Sequence, residues 1–373
     1  MVENRNELSS FLSCCLQNNF PFFAYQLPKT GMIQIGIQTD QDLKEYQFLS
    51  ELDGENGFVF SPFDIESSHK SLFIRGDIRV KGSEIDSDSL QLLKSYQTEK
   101  SEKLPENVIL ESSPALYFNQ VSKMINDLKQ FRLDKAILSR IQILDGVGLN
   151  CAVESFLKLS ESYDSAFVFL VSIPKEGTWI GASPETLLSS KNNTIETVAL
   201  AGTQKLASRL IDQITWEPKE INEQALVSLY IEEVLKNHNL TKYKRTGPVT
   251  SQAGNVVHLK TTYLLSNGMG FSQLSNLVQD LHPTPAVCGL PKNKALELIR
   301  EIEEHDREYY AGYLGPIESN GSISLFVNLR SMKVFDNQMA LFVGGGITAD
   351  SIPEKEWEET CLKAQTLLNV IRS

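Results

Sequence analysis

Apolar positions along this chain keep two rhythms. One repeats every three or four residues, as on the buried face of a helix; the other repeats every second residue, as in a half-buried strand. The first predicts helices over residues 6–16, from Ser113-Pro114 through Val121, Met124, Ile125 and Leu128, over 217–238 and over 293–304. The second, with continuously apolar runs, predicts strands at FFAYQLP, MIQIGIQTD, GFVFSPFD and AFVFLVS. Residues 179–185 read as a turn into strand 186–189, which Lys191-Asn192-Asn193 sends back into 195–200. Ala201-Gly202-Thr203 is expected to end that strand. Ala253-Gly254-Asn255 predicts a hairpin over 250–265 with His258 in its second strand, and residues 309–317 and 322–334, carrying Tyr310 and Arg330, predict paired strands. Pro283 and Pro285 make 281–289 stiff and extended. Residues 81–107 have little apolar periodicity and read as an exposed loop.

Several polar residues interrupt these patterns where chemistry is possible. In residues 133–140 the alternation puts Lys135, Ile137 and Ser139 on one face of a strand. A lysine on a core face is unusual, although an edge-strand lysine that blunts aggregation would look the same. Glu185 follows a proline at the root of a hairpin. Glu220 and Glu223 share one face of a helix, as do Glu356 and Glu359, with Lys363 further along. Arg330 lies in the apolar run LFVNLR and needs an anionic partner if buried. Gly344, Gly345 and Gly346 precede Ser351-Ile352-Pro353, a predicted helix start with Ser351 as N-cap. Glycine N–H groups free of Cβ can cradle a carboxylate. A glycine-rich turn before a solvated, charged helix would carry the same sequence.

Composition narrows the class. The 373 residues suffice for one or two domains, and no apolar run approaches the roughly 20 residues that span a bilayer. The polar start MVENRNELSS is unlike a signal peptide. Five cysteines without a CxxC pair argue for a reducing, cytoplasmic setting and against a zinc site. A net charge of −12 argues against nucleic acid and requires local positive charge at any site for an anion. No membrane partner is expected, and the expected state is a monomer or weak dimer.

Taken in order, KAILSR at Lys135, IGASPE ending at Glu185, ALAGT ending at Thr203, KEINE at Lys219, HPTPAVCG from His282, REYYAG from Arg307 and GGGITADSIPEKEWEET from Gly344 resemble the chorismate-utilising enzyme family. Within that family the likeness is closest to the isochorismate synthases. It covers residues 113–371, so that 108–373 would be the chorismate-binding catalytic region and 1–107 an N-terminal part with weak resemblance. It implies a single large α/β domain of the α+β type, antiparallel sheets with surrounding helices, with chorismate as substrate and Mg²⁺ as cofactor. By motif position Lys135 resembles the base that activates water, and Glu185 the acid at the departing 4-hydroxyl. Glu223 and Glu359 resemble direct Mg²⁺ ligands, with Glu220 and Glu356 nearby or acting through water. Tyr310, Arg330, Gly344, Gly346 and Lys363 match positions that hold the substrate's carboxylates, and Thr203, His282 and Ala286 match others lining the site. Gln224 stands where the family often has His, Glu220 replaces a common Asp, and Cys288 sits where Gly or Ser is usual.

Water addition at C2 with loss of hydroxide from C4 requires a base and an acid on opposite sides. Mg²⁺ prefers oxygen ligands, which glutamates supply. Amine-using relatives generally lack a lysine at the Lys135 position, and one type has Lys where this chain has Ala201. Salicylate-forming relatives, which go on to eliminate pyruvate, tend to carry Thr at the Ala286 position. The expectation is therefore conversion of chorismate to isochorismate, with salicylate formation as the alternative. A non-catalytic Mg²⁺-dependent binder would need neither Lys135 nor Glu185. Neither a menaquinone nor a siderophore route is indicated over the other.

Overall fold

The computed structural model describes residues 2–85, 88, 91, 93, 95–96, 109–131, 133–206, 210–266 and 268–372. The strands are β1 (Phe22–Gln26), β2 (Ile33–Ile37), β3 (Lys44–Tyr46), β4 (Gly57–Ser61), β5 (Ser71–Arg75), β6 (Ile78–Lys81), β7 (Lys135–Asp145), β8 (Phe167–Ile173), β9 (Gly177–Ser183), β10 (Thr186–Lys191), β11 (Thr194–Lys205), β12 (Lys244–Ala253), β13 (Val256–Ser266), β14 (Gly289–Leu290), β15 (Tyr313–Ile317), β16 (Ile323–Val327), β17 (Ser331–Val334) and β18 (Gln338–Ile347). The helices are α1 (Val2–Gln17), α2 (Pro114–Phe131), α3 (Leu149–Ser162), α4 (Pro218–Asn237), α5 (Phe271–Leu281), α6 (Lys292–Ile302) and α7 (Pro353–Ile371).

The strands form two nine-stranded antiparallel sheets. One runs β14-β7-β18-β17-β9-β8-β1-β2-β6 and the other β12-β13-β11-β10-β16-β15-β4-β5-β3. The N-terminal strands β1–β6 contribute to both sheets. Strand β8 shows why its sequence is apolar throughout. Phe167, Phe169 and Val171 face the layer between the sheets, while Val168 and Leu170 face the layer under α1, α3 and α7. With both faces buried, there is no polar side to alternate with. Between the sheets the rings of Phe167 and Phe326 stack at 4.1 Å, and those of Phe23 and Phe58 at 4.9 Å.

The chain changes sheets at several points, and two of these crossings frame the site: one between β9 and β10, through Pro184 and Glu185, and one back between β16 and β17, through residues 328–330. The two crossings are tied together: Val327 donates its N–H to the Glu185 carbonyl at 3.0 Å, and Ala182 donates to the Arg330 carbonyl at 3.0 Å.

The crossings correct several expectations. Residues 179–185 are mostly strand β9, not a turn. Their small residues make room for rings, and a Cβ on Gly181 would stand 2.6 Å from the Phe169 ring. The strand expected over 322–334 is two strands in different sheets, and Arg330 lies between them at φ 52°. Tyr310 likewise precedes β15. Ala201-Gly202-Thr203 does not end β11. It forms a bulge, with Gly202 at φ 71°, after which pairing with β13 resumes at Gln204. Residues 284–288 are turned rather than extended, with the Val287 and Cys288 N–H groups on the Thr284 carbonyl. Gly344, Gly345 and Gly346 lie inside β18 rather than in a turn. Helix α7 is capped by Ile352, while Ser351 accepts the Thr348 N–H on its hydroxyl. Within 81–107, Ile85 and Leu93 are buried, and the expectation for residues 97–107 lies outside the described residues.

Candidate active site

Strand β7 turns Lys135, Ile137 and Ser139 to one buried face. Lys135 is not on an edge: it pairs with Leu290 on one side, and its neighbour Ala136 pairs with Ile347 on the other. Its Nζ donates to Glu223 Oε1 at 2.7 Å. Burial pushes the Glu223 carboxyl up, but Lys135, with Lys363 and Lys219, holds it below its usual value. Gly346 makes this pair possible, since a Cβ there would sit 2.6 Å from Lys135 Cε and 2.8 Å from Glu223 Oε1.

The other glutamates are held the same way. Glu356 Oε1 accepts from Lys219 Nζ at 2.8 Å, and Glu359 Oε1 lies 2.8 Å from Lys363 Nζ. Glu220 accepts the Glu217 N–H, capping α4. Burial disfavours the Lys219 charge, but Glu356, Glu359 and Glu223 together hold its pKa above the usual value. The Tyr117 hydroxyl is buried beside this group without a partner among the described residues. No three His, Cys, Asp or Glu converge on one point among the described residues. The carboxylates instead gather round ammonium groups. An all-oxygen donor set already collected about cations fits a hard divalent ion.

A cavity of about 70 Å³ lies between the sheets, bounded by Glu185, Thr203, Glu223, Ala286, Tyr310, Arg330, Gly344 and Lys363. Glu185 is 2% exposed, and burial raises its pKa to about 8; Thr284 Oγ1, 3.4 Å from Oε1, and the charge of Lys135 only partly oppose this. At neutral pH it is a carboxylic acid. Arg330 is buried, and its guanidinium hydrogen-bonds only neutral groups among the described residues: His258 Nε2 at 3.2 Å, Thr366 Oγ1 at 3.2 Å and the Lys363 carbonyl; Glu359 acts on it only at longer range. Among the described residues it has no carboxylate partner, which leaves a cation in want of an anion.

The glycines contribute through backbone. Ser139 and Ile137 send their N–H groups to Glu303 and Cys288, not to β18. The facing Gly344 and Gly346 therefore point their own N–H and C=O groups off the far side of β18, past the end of β17. The Gly344 carbonyl accepts from Lys363 Nζ at 2.8 Å. Burial pushes the Tyr310 hydroxyl up to about 12, so it stays a donor, and its ring stacks on Phe342.

His282 does not line this cavity. It faces a separate one of about 460 Å³ and packs edge-on against Tyr313, 5.0 Å away. Two residues of the site escaped the sequence reading. Arg307 binds both Glu303 oxygens (2.6 and 2.7 Å) and the Val287 and Ile137 carbonyls, fixing β7 against the Ala286 turn. His258 donates from Nδ1 to the Gly202 carbonyl at 2.7 Å. Burial lowers its pKa to about 3, so its Nε2 stays free to accept from Arg330. An imidazole in the apolar strand VVHLK is the same anomaly as Lys135 in its strand and could have been read the same way. Of the departures from the family pattern, Gln224 is buried and bonded to Ser228 and Thr261, and the Cys288 thiol donates to the Lys292 carbonyl.

A family model described as chorismate binding enzyme matches residues 70–372. Over 273 residues the chain is 32% identical to the vibriobactin-specific isochorismate synthase of Vibrio cholerae serotype O1, covering 69% of this chain and 68% of that one. Over 250 residues it is 31% identical to isochorismate synthase EntC of Escherichia coli K12, covering 64% and 62%. The solved structure of DhbC from Bacillus anthracis shares the fold, with a TM-score of 0.78 at 24% identity over 97% of this chain and 99% of that one.

Proposed function

This chain belongs to the chorismate-binding enzyme family, and within it we propose that it interconverts chorismate and isochorismate with Mg²⁺. The observation that carries this reading is the pairing of a carboxylic acid kept protonated by burial, Glu185, with a buried lysine close enough to feel its charge. Glu185 lines the cavity, with Arg330 in its wall, and Lys135 adjoins it through its bond to Glu223.

Glu185 gives its proton to the leaving 4-hydroxyl, and Thr284 keeps its carboxyl oriented. Lys135, once it has shed its own proton, takes one from the water that attacks C2. The ring double bonds shift between the two carbons, so one C–O bond forms as another breaks. Arg330 and the Tyr310 hydroxyl hold the side-chain carboxylate, while the outward N–H groups of Gly344 and Gly346 receive the ring carboxylate. Glu223 and Glu359, with Glu220 and Glu356 nearby, would hold Mg²⁺, which would supply positive charge for the substrate's carboxylate. Ala286 leaves its wall of the cavity apolar, which favours stopping at isochorismate.

The test is product identity. Purified protein with chorismate and Mg²⁺, followed by chromatography, should reach the same chorismate–isochorismate mixture from either side. The two isomers keep a non-aromatic diene and should lie within roughly 1–2 kcal/mol, ratios of tens at most. Complete consumption with stoichiometric pyruvate would overturn the proposal in favour of salicylate formation.

A further inference from the structure

A second cavity, of about 510 Å³, lies against the first and is several times larger. The two share Pro184, Leu200, His258 and Arg330 as a common wall. On its outer side stand Lys29, which is exposed, and Lys260, which is half-buried, against the single carboxylate of Asp164 among its described lining residues. With Arg330 at its inner end, this cavity is locally positive on a chain of net charge −12. The glutamate end differs: there Glu223, Glu356 and Glu359 are each paired with a lysine, Lys135, Lys219 and Lys363, so the charges balance.

We propose that the second cavity is the antechamber through which the dianionic substrate reaches the reaction cavity, drawn by Lys29 and Lys260 and handed on by Arg330. The inference rests on the functional reading above, in that the substrate is a dicarboxylate. A dianion approaching the glutamate end meets lysines already neutralised by glutamates, while at the antechamber it meets cations with falling exposure: Lys29, then Lys260, then Arg330. Fields of this kind raise association rates. The wall is also built to yield. The bonds of Arg330 to His258 Nε2, Thr366 Oγ1 and the Lys363 carbonyl are all to neutral acceptors. A carboxylate offers a stronger, charge-assisted replacement, so the guanidinium can leave His258 for the incoming group. The layout separates the two charged cargoes, with a cation attracted at the glutamate end and the dianion at the lysine end.

The experiment is stopped-flow binding of chorismate to the metal-free protein, followed by intrinsic fluorescence, with turnover assayed in parallel. Lys29→Glu and Lys260→Glu should each slow association roughly tenfold at low salt, with the difference closing as salt rises. Ser251→Trp, which fills the antechamber from β12, should slow association and dissociation alike and leave Kd within about twofold, as expected of an obstructed path. Lys355→Glu, an exposed charge at the start of α7, should leave association unchanged. Slower association in Lys355→Glu with no change in Lys29→Glu and Lys260→Glu would overturn the route, as would unchanged rates in all four variants. Association that responds as expected without isochorismate formation would instead strike at the proposed reaction alone.

Discussion

The site has two walls that manage charge in opposite ways. On the helix wall, formed by the starts of α4 and α7, three of the four glutamates are neutralised by lysines: Glu223 by Lys135, Glu356 by Lys219 and Glu359 by Lys363. On the crossing wall, where the chain changes sheets, charge is left uncompensated. Glu185 avoids ionising by keeping its proton, and Arg330 keeps its charge without an anion. Paired charges can be redistributed cheaply when a cation or substrate arrives, because each glutamate exchanges one positive partner for another. Unpaired groups are costly in the empty protein and give that cost back when substrate binds or reacts. The helix wall is thus suited to exchange and the crossing wall to the chemical step.

The contrast can be broken from either side. The largest effect should come from removing the cation: excess chelator should take turnover below detection, and added Mg²⁺ should restore it. In the same assay Glu223→Ala and Glu359→Ala should raise the Mg²⁺ requirement far more than Glu220→Ala, whose carboxylate serves the α4 cap. Persistent turnover in chelator would remove the helix wall from the reaction. Next, Lys135→Ala and Glu185→Gln should each lower kcat by about 10²–10⁴-fold, the usual worth of a general acid or base, with thermal unfolding still cooperative.

Arg330→Gln should cost less, roughly 10- to 100-fold in kcat/KM, since charge-assisted hydrogen bonds are worth about 1.5–3 kcal/mol. If KM and kcat/KM stay at wild-type values, Arg330 does not hold a carboxylate. The smallest change should appear in the pH profile. Glu185 must carry a proton to act as an acid, and its pKa is about 8. The Glu185 limb should therefore lower activity about tenfold per unit above roughly pH 8. His258, neutral down to about pH 3, should add no limb of its own between pH 5 and 8. An alkaline limb that survives in Glu185→Gln would assign it to another group.

What could be read from the sequence follows the range of the forces involved. Lys135 was legible because period-two alternation is local: its face is fixed by Ile137 and Ser139 two and four residues on. The helices bearing the glutamates were legible from their apolar period and from Pro218 and Pro353 in their first turns. The crossings were not, because nothing local marks a strand that leaves one sheet for another. Residues 322–334 read as a single strand although Arg330 interrupts it at φ 52°. The strand at 344–346 was not legible for a related reason: glycine carries a turn propensity, so a glycine-rich turn stayed open, and only the partner strand β7 reveals a bare, extended backbone. His282 matched its motif, yet packing turned its ring to the neighbouring cavity, a long-range outcome that spacing does not encode.

The stacked rings of Phe167 and Phe326 act as a spacer between the sheets. Phe167 belongs to the sheet that carries Lys135, and Phe326 ends two residues before the crossing that leads to Arg330. The apolar layer that these rings fill separates the sheet bearing Lys135 from the one in which Phe326 lies. Thinning that layer, as in Phe326→Leu, lets the sheets settle toward one another. A shift approaching 1 Å in a reacting geometry can cost on the order of 10²-fold in rate. Such a variant would fold, bind and still turn over slowly.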